Sequence, residues 1–136
     1  MAVIIFIVVF FLLILIIYLL FKKNVSENKI IKSYYHRRFL RNKLQMERYL
    51  DELNLLITTN NCGDIMYNNE ITLNQYLINL KTEYKKNYVD FNLKALKRNN
   101  LKEKHKKFYS KMLIKQSEKL YFIESELLKL NEIYNV

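Results

Sequence analysis

The side chains that could do chemistry are few in this chain and stand apart from one another. His36 and His105 are the two histidines, and Cys62 is the one cysteine. A nucleophilic cysteine needs a nearby base, and a zinc site needs several His or Cys ligands at short spacing. The adjacent carboxylates Asp51 and Glu52 do not converge, because neighbouring positions of a helix point apart. A single glycine excludes a glycine-rich phosphate loop. The sequence therefore predicts no catalytic residue, no metal site and no cofactor.

An uninterrupted apolar segment begins the chain. Residues 2–21 are 20 consecutive apolar residues without a charge, Gly or Pro. A helix of this length matches the hydrocarbon core of a bilayer, which is roughly 30 Å thick. A secretory signal peptide would need a basic start and a small-residue cleavage site, and the segment has neither. Residues 1–21 are therefore predicted to be an uncleaved transmembrane anchor, and residues 22–136 to form one small domain outside the bilayer.

Basic residues follow the anchor directly. Residues 22–48 hold nine Lys and Arg against two Glu. Positively charged flanks are retained on the cytoplasmic side of a membrane. We therefore expect the N-terminus outside and residues 22–136 in the cytoplasm.

The domain is predicted to be all-α. It has no Pro, one Gly and helical periodicity nearly throughout. Helices are expected at about residues 28–57, 72–98 and 101–134, with a loop at residues 58–71, and Thr72 and Gln75 fit a capping box. The simplest arrangement is an antiparallel three-helix bundle. In the alternative, the last two helices join into one long coiled-coil helix that dimerises, because the turn signal at residues 99–100 is weak.

Each predicted helix carries one apolar stripe with a polar interruption. Asn42 interrupts the first, Asn87 the second, and His105 and Gln116 the third. The apolar members are Tyr35, Phe39, Met46, Leu50, Leu53 and Ile57; Leu73, Leu77, Leu80, Tyr84, Phe91 and Ala95; and Leu101, Phe108 and Met112, followed by five more. Those five have the most regular coiled-coil spacing and are predicted to bind a protein partner or a second copy: Leu120, Ile123, Leu127, Leu130 and Tyr134.

Charge alternates in blocks along the chain. The net charge is +7 over residues 22–48, −4 over residues 49–80 and +7 over residues 81–107, whereas residues 108–136 are balanced. In an up-and-down bundle the two basic blocks meet at the membrane end, where anionic headgroups would neutralise them. The predicted contacts to headgroups, or to nucleic acid in the alternative below, are Lys22, Lys23, Lys29, Lys32, Arg37, Arg38, Arg41, Lys97, Arg98, Lys102, Lys104, Lys106 and Lys107.

Three functions fit these patterns. The first is a non-enzymatic single-pass membrane protein whose cytosolic bundle is an adaptor or structural subunit of a membrane complex, with partner contacts at the acidic loop that carries an exposed Cys62. The second is a membrane-tethered nucleic-acid-binding protein, whose phosphate contacts would weaken steeply with salt. The third, a small pore-forming or lysis protein, is ranked last because the anchor has no polar face to line a channel.

Overall fold

The fold is all-α, as the sequence predicts. The computed structural model describes residues 2–89, 94–96 and 101–134, and their side chains from residue 6 onward. Three long helices are present, which we name α1 (Ala2–Asn60), α2 (Leu73–Asn87) and α3 (Glu103–Tyr134), and a further helical turn lies at residues 94–96. The chain forms two compact units, Met1–Tyr34 and Tyr35–Val136. Helix α1 contributes to both units, so the separate start predicted near residue 28 is not observed.

The first unit is the apolar part of α1. Every described side chain between Phe6 and Phe21 is exposed. The helix is long and apolar enough to cross a membrane, with a mean hydropathy of 2.6 over its best window. A fully exposed apolar surface of this kind is what a lipid environment accommodates.

The second unit is a three-helix bundle formed by the rest of α1, by α2 and by α3. Tyr35 on α1 donates a hydrogen bond from its hydroxyl to the backbone carbonyl of Lys106 on α3 (3.3 Å). Further along the same two helices, Asn42 donates to Gln116 (3.3 Å). Residue numbers therefore rise together on α1 and α3, while the intervening α2 returns in the opposite direction.

A left-handed residue ends α1. Asn61 has φ 49°, and the N–H of Cys62 donates to the carbonyl of Ile57 (3.2 Å). This is the hydrogen bond of a Schellman motif, which also brings the residue after the left-handed position back onto the last turn. The motif turns Cys62 into the core, where its side chain is 1% exposed. The prediction of an exposed thiol in this loop was wrong for this reason.

The loop between α1 and α2 is held by short-range hydrogen bonds. The N–H of Tyr67 donates to the carbonyl of Ile71 (2.9 Å), and an isolated antiparallel bridge joins Met66 and Thr72. Thr72 caps α2, because its hydroxyl accepts from the N–H of Gln75 (3.2 Å). The side chain of Gln75 donates to Asn79 rather than to Thr72, so only half of the predicted capping box forms.

Helix α2 ends at Asn87, about a dozen residues before its predicted end near residue 98. The backbone leaves the helix at Tyr88 (φ −112°, ψ 33°), whose ring is buried. The side-chain amide of Gln116 donates to the carbonyl of Asn87 (3.1 Å), which gives a partner to a carbonyl at the helix end. The non-helical backbone at Tyr88 also excludes the single long helix of the alternative prediction.

The apolar stripes form the core, with one correction of register. The described members of the first two stripes are buried or half-buried, as the periodicity indicates. On α3 the structure buries Tyr109 and Leu113, whereas Phe108 is 59% exposed and Met112 is half-buried. Counting back from Gln116 in alternating steps of three and four leads to residues 113 and 109, so the prediction was one position off at Phe108 and Met112. Leu101 is buried as predicted.

Three of the four polar interruptions come together in one layer of the bundle. Asn42 is 2% exposed and Gln116 is 5% exposed. Asn42 donates to the side chain of Gln116, and Gln116 donates to the carbonyl of Asn87, so α1, α3 and the end of α2 are linked. Buried polar groups are costly unless they are paired. This polar layer therefore favours one register of the three helices over its neighbours.

Candidate functional surfaces of the bundle

Contacts between the helices define which charges lie at the same level of the bundle. Besides the Tyr35 and Asn42 contacts, Tyr84 of α2 donates to Glu47 of α1, and Tyr67 of the loop donates to Glu126 of α3 (2.7 Å). We use these contacts to divide the second unit in two. The basic half comprises residues 35–48, 81–88 and 101–119, and the acidic half comprises residues 49–80 and 120–134.

Charge is strongly segregated between these halves. The basic half has 15 Lys and Arg against four Glu, a net charge of +11. The acidic half has seven Asp and Glu against Lys129 alone, a net charge of −6. Residues 108–136, balanced as a linear segment, are split by the fold: Lys111, Lys115 and Lys119 join the basic half, and the last three Glu join the acidic half. Linear charge counting predicted the two basic blocks and the acidic segment between them, but it missed the division of α3, which appears only when the helices are placed in register.

The α1 face of the basic half presents arginines around an apolar patch. Arg37, Arg41 and Arg48 line a shallow depression of about 410 Å³ together with Leu40, Leu44 and Gln45. Leu44 is 64% exposed. Arg48 also forms an ion pair with Glu52 (2.8 Å), which raises the pKa of its guanidinium. Guanidinium groups beside an apolar surface can bind a ligand that carries both a phosphate group and an apolar part.

The α3 face of the basic half presents lysines. Lys106, Lys107, Lys111 and Lys115 line an open depression of about 650 Å³ beside Tyr35. Lys106 already has a partner, since it forms an ion pair with Glu103 (2.8 Å). This ion pair lowers the pKa of the Glu103 carboxyl. The other three amines lie on the exposed side of the helix.

The predicted headgroup contacts fall into three groups. Lys22, Lys23, Lys29 and Lys32 belong to the first unit. The second unit brings together Arg37, Arg38, Arg41, Lys102, Lys104, Lys106 and Lys107 at its Tyr35 end, although Arg38 is half-buried and donates to the hydroxyl of Ser117 (3.3 Å). Lys97 and Arg98 lie outside the described residues.

A groove between α2 and α3 was not foreseen from the sequence. It has a volume of about 420 Å³, and Tyr88 and Gln116 are among its buried lining residues. Lys119 pairs with Glu83 across it (3.2 Å), and Lys86 and Lys115 also line it. The groove depends on where α2 ends, which the apolar periodicity did not reveal.

The predicted partner-binding stripe lies inside the bundle. Leu120, Ile123, Leu127 and Leu130 are buried in the main apolar cluster, and Tyr134 packs against it. Their regular spacing is the seam by which α3 packs on α1 and α2. The expectation that these side chains form a partner surface is therefore corrected, and any such surface lies elsewhere on the bundle.

Tyrosines in the acidic half link the loop to α3. The rings of Tyr67 and Tyr76 stack with centroids 4.1 Å apart. Burial, with the hydrogen bond to Glu126, raises the pKa of Tyr67 above its usual range. Lys129 (2.8 Å) and then Tyr67 lower the pKa of Glu126. Glu126 is thus engaged by the bundle. The exposed acidic side chains of this half are Asp51, Asp64, Glu70, Glu124 and Glu132.

Histidine and cysteine do not form a centre. His36 and His105 are both half-buried in the basic half, far in sequence from the buried Cys62. Among the described residues, no three His, Cys, Asp or Glu side chains are grouped so that they could hold a metal ion.

The chain matches no known family model, no curated protein and no solved structure.

Proposed function

We propose that this chain is a non-enzymatic single-pass membrane protein whose helical bundle is an adaptor or structural subunit of a membrane complex. Its basic half contacts anionic lipid headgroups, and its acidic half offers contacts to a protein partner. The N-terminus lies outside and the bundle lies in the cytoplasm.

The membrane assignment and the orientation are supported by different features. The apolar part of α1 has the length and hydropathy of a membrane span. Residues 22–48 follow it with nine basic residues against two acidic ones. Since such flanks are retained on the cytoplasmic side, the bundle is assigned to the cytoplasm.

The segregation of charge in the bundle is the observation that supports the lipid contact. The basic half is also the half at which the chain enters the bundle, at Tyr35. Fifteen basic side chains in this half repel one another unless anions neutralise them. Each Lys or Arg close to an anionic leaflet gains roughly 1 kcal/mol, and this attraction fades within about 10 Å. An anionic surface near Tyr35 would therefore relieve the repulsion among these side chains.

The acidic half supports the adaptor role. It combines a net charge of −6 with exposed apolar side chains in and near the loop, among them Leu55, Ile65 and Met66. Exposed apolar groups ringed by charge are typical of protein contact sites. A partner with a basic, partly apolar surface would fit.

A depth-dependent quenching experiment tests the lipid contact. The full chain carries a fluorophore at Lys104→Cys in the basic half or, as the matched control, at Glu70→Cys in the acidic half. The unsubstituted chain is the blank, because Cys62 is buried. The vesicles contain lipids with headgroup quenchers, with or without phosphatidylserine.

We expect quenching at position 104 only in the anionic vesicles, reversed by salt, and little quenching at position 70. Equal quenching at both positions would contradict the lipid contact. So would an absence of quenching at position 104 that is accompanied by retention of DNA or RNA on filters, and that result would favour the nucleic-acid alternative.

A further inference from the structure

The groove between α2 and α3 has side chains in its lining that the bundle holds in place. Tyr88, which follows the end of α2, lines it with a buried ring. This ring stacks on Tyr84 with centroids 5.6 Å apart, and its centroid lies 6.3 Å from that of Phe39. The side-chain amide of Gln116, also in the lining, donates to the carbonyl of Asn87 (3.1 Å). Groups fixed in this way lose little freedom when a ligand enters.

Two apolar side chains of the lining are only partly covered. Phe108 is 59% exposed, and Met112 is half-buried. Both belong to α3, whose core residues at this level are their neighbours Tyr109 and Leu113. The packing of the bundle therefore leaves the ring of Phe108 open to solvent. An aromatic ring and a flexible thioether are well suited to contact with the apolar part of a ligand.

The charged side chains of the groove do not balance one another. Three Lys and one Glu line it, a net charge of +2. Lys119 and Glu83 form an ion pair (3.2 Å). Lys86 and Lys115 are exposed and form no ion pair with any residue that the structure describes. The groove thus has two amines that lack a counter-charge.

These two amines favour one kind of anion. A phosphate monoester carries a charge of about −1.5 to −2 near pH 7 and has three acceptor oxygens. It can therefore neutralise both amines, whereas a carboxylate carries a single charge. Phosphate without an organic group would leave Phe108 and Met112 uncovered. The volume of the groove, about 420 Å³, lies within the range of small-molecule sites, roughly 300–1,000 Å³.

We propose that the groove between α2 and α3 binds a small phosphate monoester that carries an apolar or aromatic group. Lys86 and Lys115 hold the phosphate, and the organic group lies against Phe108 and Met112. Since the ligand contacts α2 and α3 together, its binding adds to the free energy of unfolding of the bundle. The site does not depend on the lipid contact proposed above.

This chemistry occurs in soluble esters and in the headgroup of phosphatidic acid, and two probes distinguish the sources. Phenyl phosphate is soluble and aromatic, whereas dihexanoyl phosphatidic acid carries the phosphate on short acyl chains. The full chain is placed in nanodiscs of phosphatidylcholine alone, so that the basic half meets no other anionic lipid. Inorganic phosphate and phenol are the reference ligands, and ligand-observed NMR measures each Kd.

We expect at least one ester to bind about tenfold more tightly than inorganic phosphate or phenol, because only an ester uses both parts of the groove. The tighter of the two esters identifies the source. Equal affinity for inorganic phosphate and for both esters would overturn the proposal, and so would an absence of binding.

Lysines outside the groove provide matched controls. Lys86→Ala and Lys115→Ala should each weaken ester binding about tenfold, since each removes a charge-assisted contact to the phosphate. Lys85→Ala and Lys111→Ala remove the same charge from neighbouring positions that do not line the groove, and they should have little effect. Equal weakening by all four substitutions would mean that the net charge of the basic half attracts the ligand, and this result would overturn the proposed site.

The aromatic contact is tested in the same way. Phe108→Ala should bring the affinity for the ester down to that for inorganic phosphate. Phe122→Ala removes another exposed ring of α3, outside the groove, and should keep the difference between the two ligands. Loss of the difference in both variants, or in neither, would contradict the contact with Phe108.

The ion pair supplies a variant that should gain affinity. Glu83→Gln removes the partner of Lys119 and gives the groove a third amine without a counter-charge. Binding of the ester should therefore tighten about three- to tenfold, while circular dichroism shows that the helices are kept. Unchanged or weaker binding by this variant would mean that the phosphate does not lie beside these amines, and the proposal would fail.

Discussion

The acidic half of the bundle and the basic half are stabilised in different ways. All members of the main apolar cluster except Met46 and Tyr88 lie in the acidic half. The basic half has its own smaller group of buried residues, among them Phe39, Tyr109 and Leu113, beyond the polar layer. It also concentrates 15 basic side chains that repel one another. Apolar burial therefore contributes most to the acidic half, whereas the basic half also carries charge repulsion that anions would relieve.

Cavity variants at matched leucines should show the largest difference between the two halves. Leu53 in the acidic half and Leu113 in the basic half are both 0% exposed. We expect Leu53→Ala to lower the free energy of unfolding of the whole bundle by about 2–5 kcal/mol. Leu113→Ala should instead raise amide exchange mainly in residues 35–42 and 103–113, through local opening of the basic half.

Hydrogen exchange measured by mass spectrometry on the full chain in detergent distinguishes the two responses. Equal exchange changes throughout the bundle in both variants would mean that the halves unfold as one unit.

Alkaline pH should loosen the acidic half and the polar layer. Burial raises the pKa of Tyr67, Tyr76 and Tyr88 above the usual value of about 10. Above pH 10 the unfolded chain therefore releases protons that the folded chain retains, and stability falls as pH rises. Absorbance at 295 nm should show these tyrosines ionising only as the helices melt. Ionisation of all the tyrosines in one step near pH 10, with helicity intact, would contradict the buried environment.

The stability contributed by Glu126 has the opposite dependence on pH. Lys129 and Tyr67 lower the pKa of Glu126 below its usual value of 4.5. This contribution to stability is present above pH 4.5 and is lost as pH falls through the lowered pKa. A Glu126→Gln variant should therefore show a shallower acid transition, followed by circular dichroism, than the original chain.

The polar layer can be tested by removing one or both of its partners. Asn42→Leu leaves the side-chain oxygen of Gln116 without its donor, and we expect a loss of about 1–3 kcal/mol. Combining it with Gln116→Leu replaces the buried pair by apolar groups, so stability should recover in part. The recovery stays incomplete because the carbonyl of Asn87 loses its donor. Denaturant unfolding of the single and double variants measures the coupling. Additive losses would show that the two amides act independently.

The sequence predicted the helices and their apolar stripes better than it predicted what each stripe packs against. The stripes led to the buried residues of α1 and α2 because apolar spacing follows directly from helix geometry. The same spacing could not distinguish a core seam from a partner surface, which is why the stripe from Leu120 to Tyr134 was misassigned. Cys62 was misplaced because a Schellman motif depends on a single left-handed residue, Asn61, that composition does not single out.

The candidate surfaces were predictable only in part. The basic blocks on either side of the acidic loop were visible as charge counts, and a bundle brings them together. The division of α3 at Lys119 was not visible, because it depends on contacts with other elements that set its register, such as the hydrogen bond from Tyr67 to Glu126. The end of α2 was also missed, since the amide that holds the Asn87 carbonyl comes from 29 residues away.

Replacing either of two lysines in the basic half should change the free energy of unfolding only slightly, and in opposite directions. Lys119 forms an exposed ion pair with Glu83 of α2 (3.2 Å), whereas Lys115, one turn earlier, forms no ion pair with any residue that the structure describes. Lys119→Ala should cost at most about 1 kcal/mol, because exposed ion pairs are weak and screened. Lys115→Ala should be neutral or slightly stabilising, since it removes one repelling charge. The difference should shrink as salt is raised during denaturant unfolding. Equal losses at both positions that persist in salt would mean that lost packing of the lysine stems, rather than charge, controls the stability of the basic half.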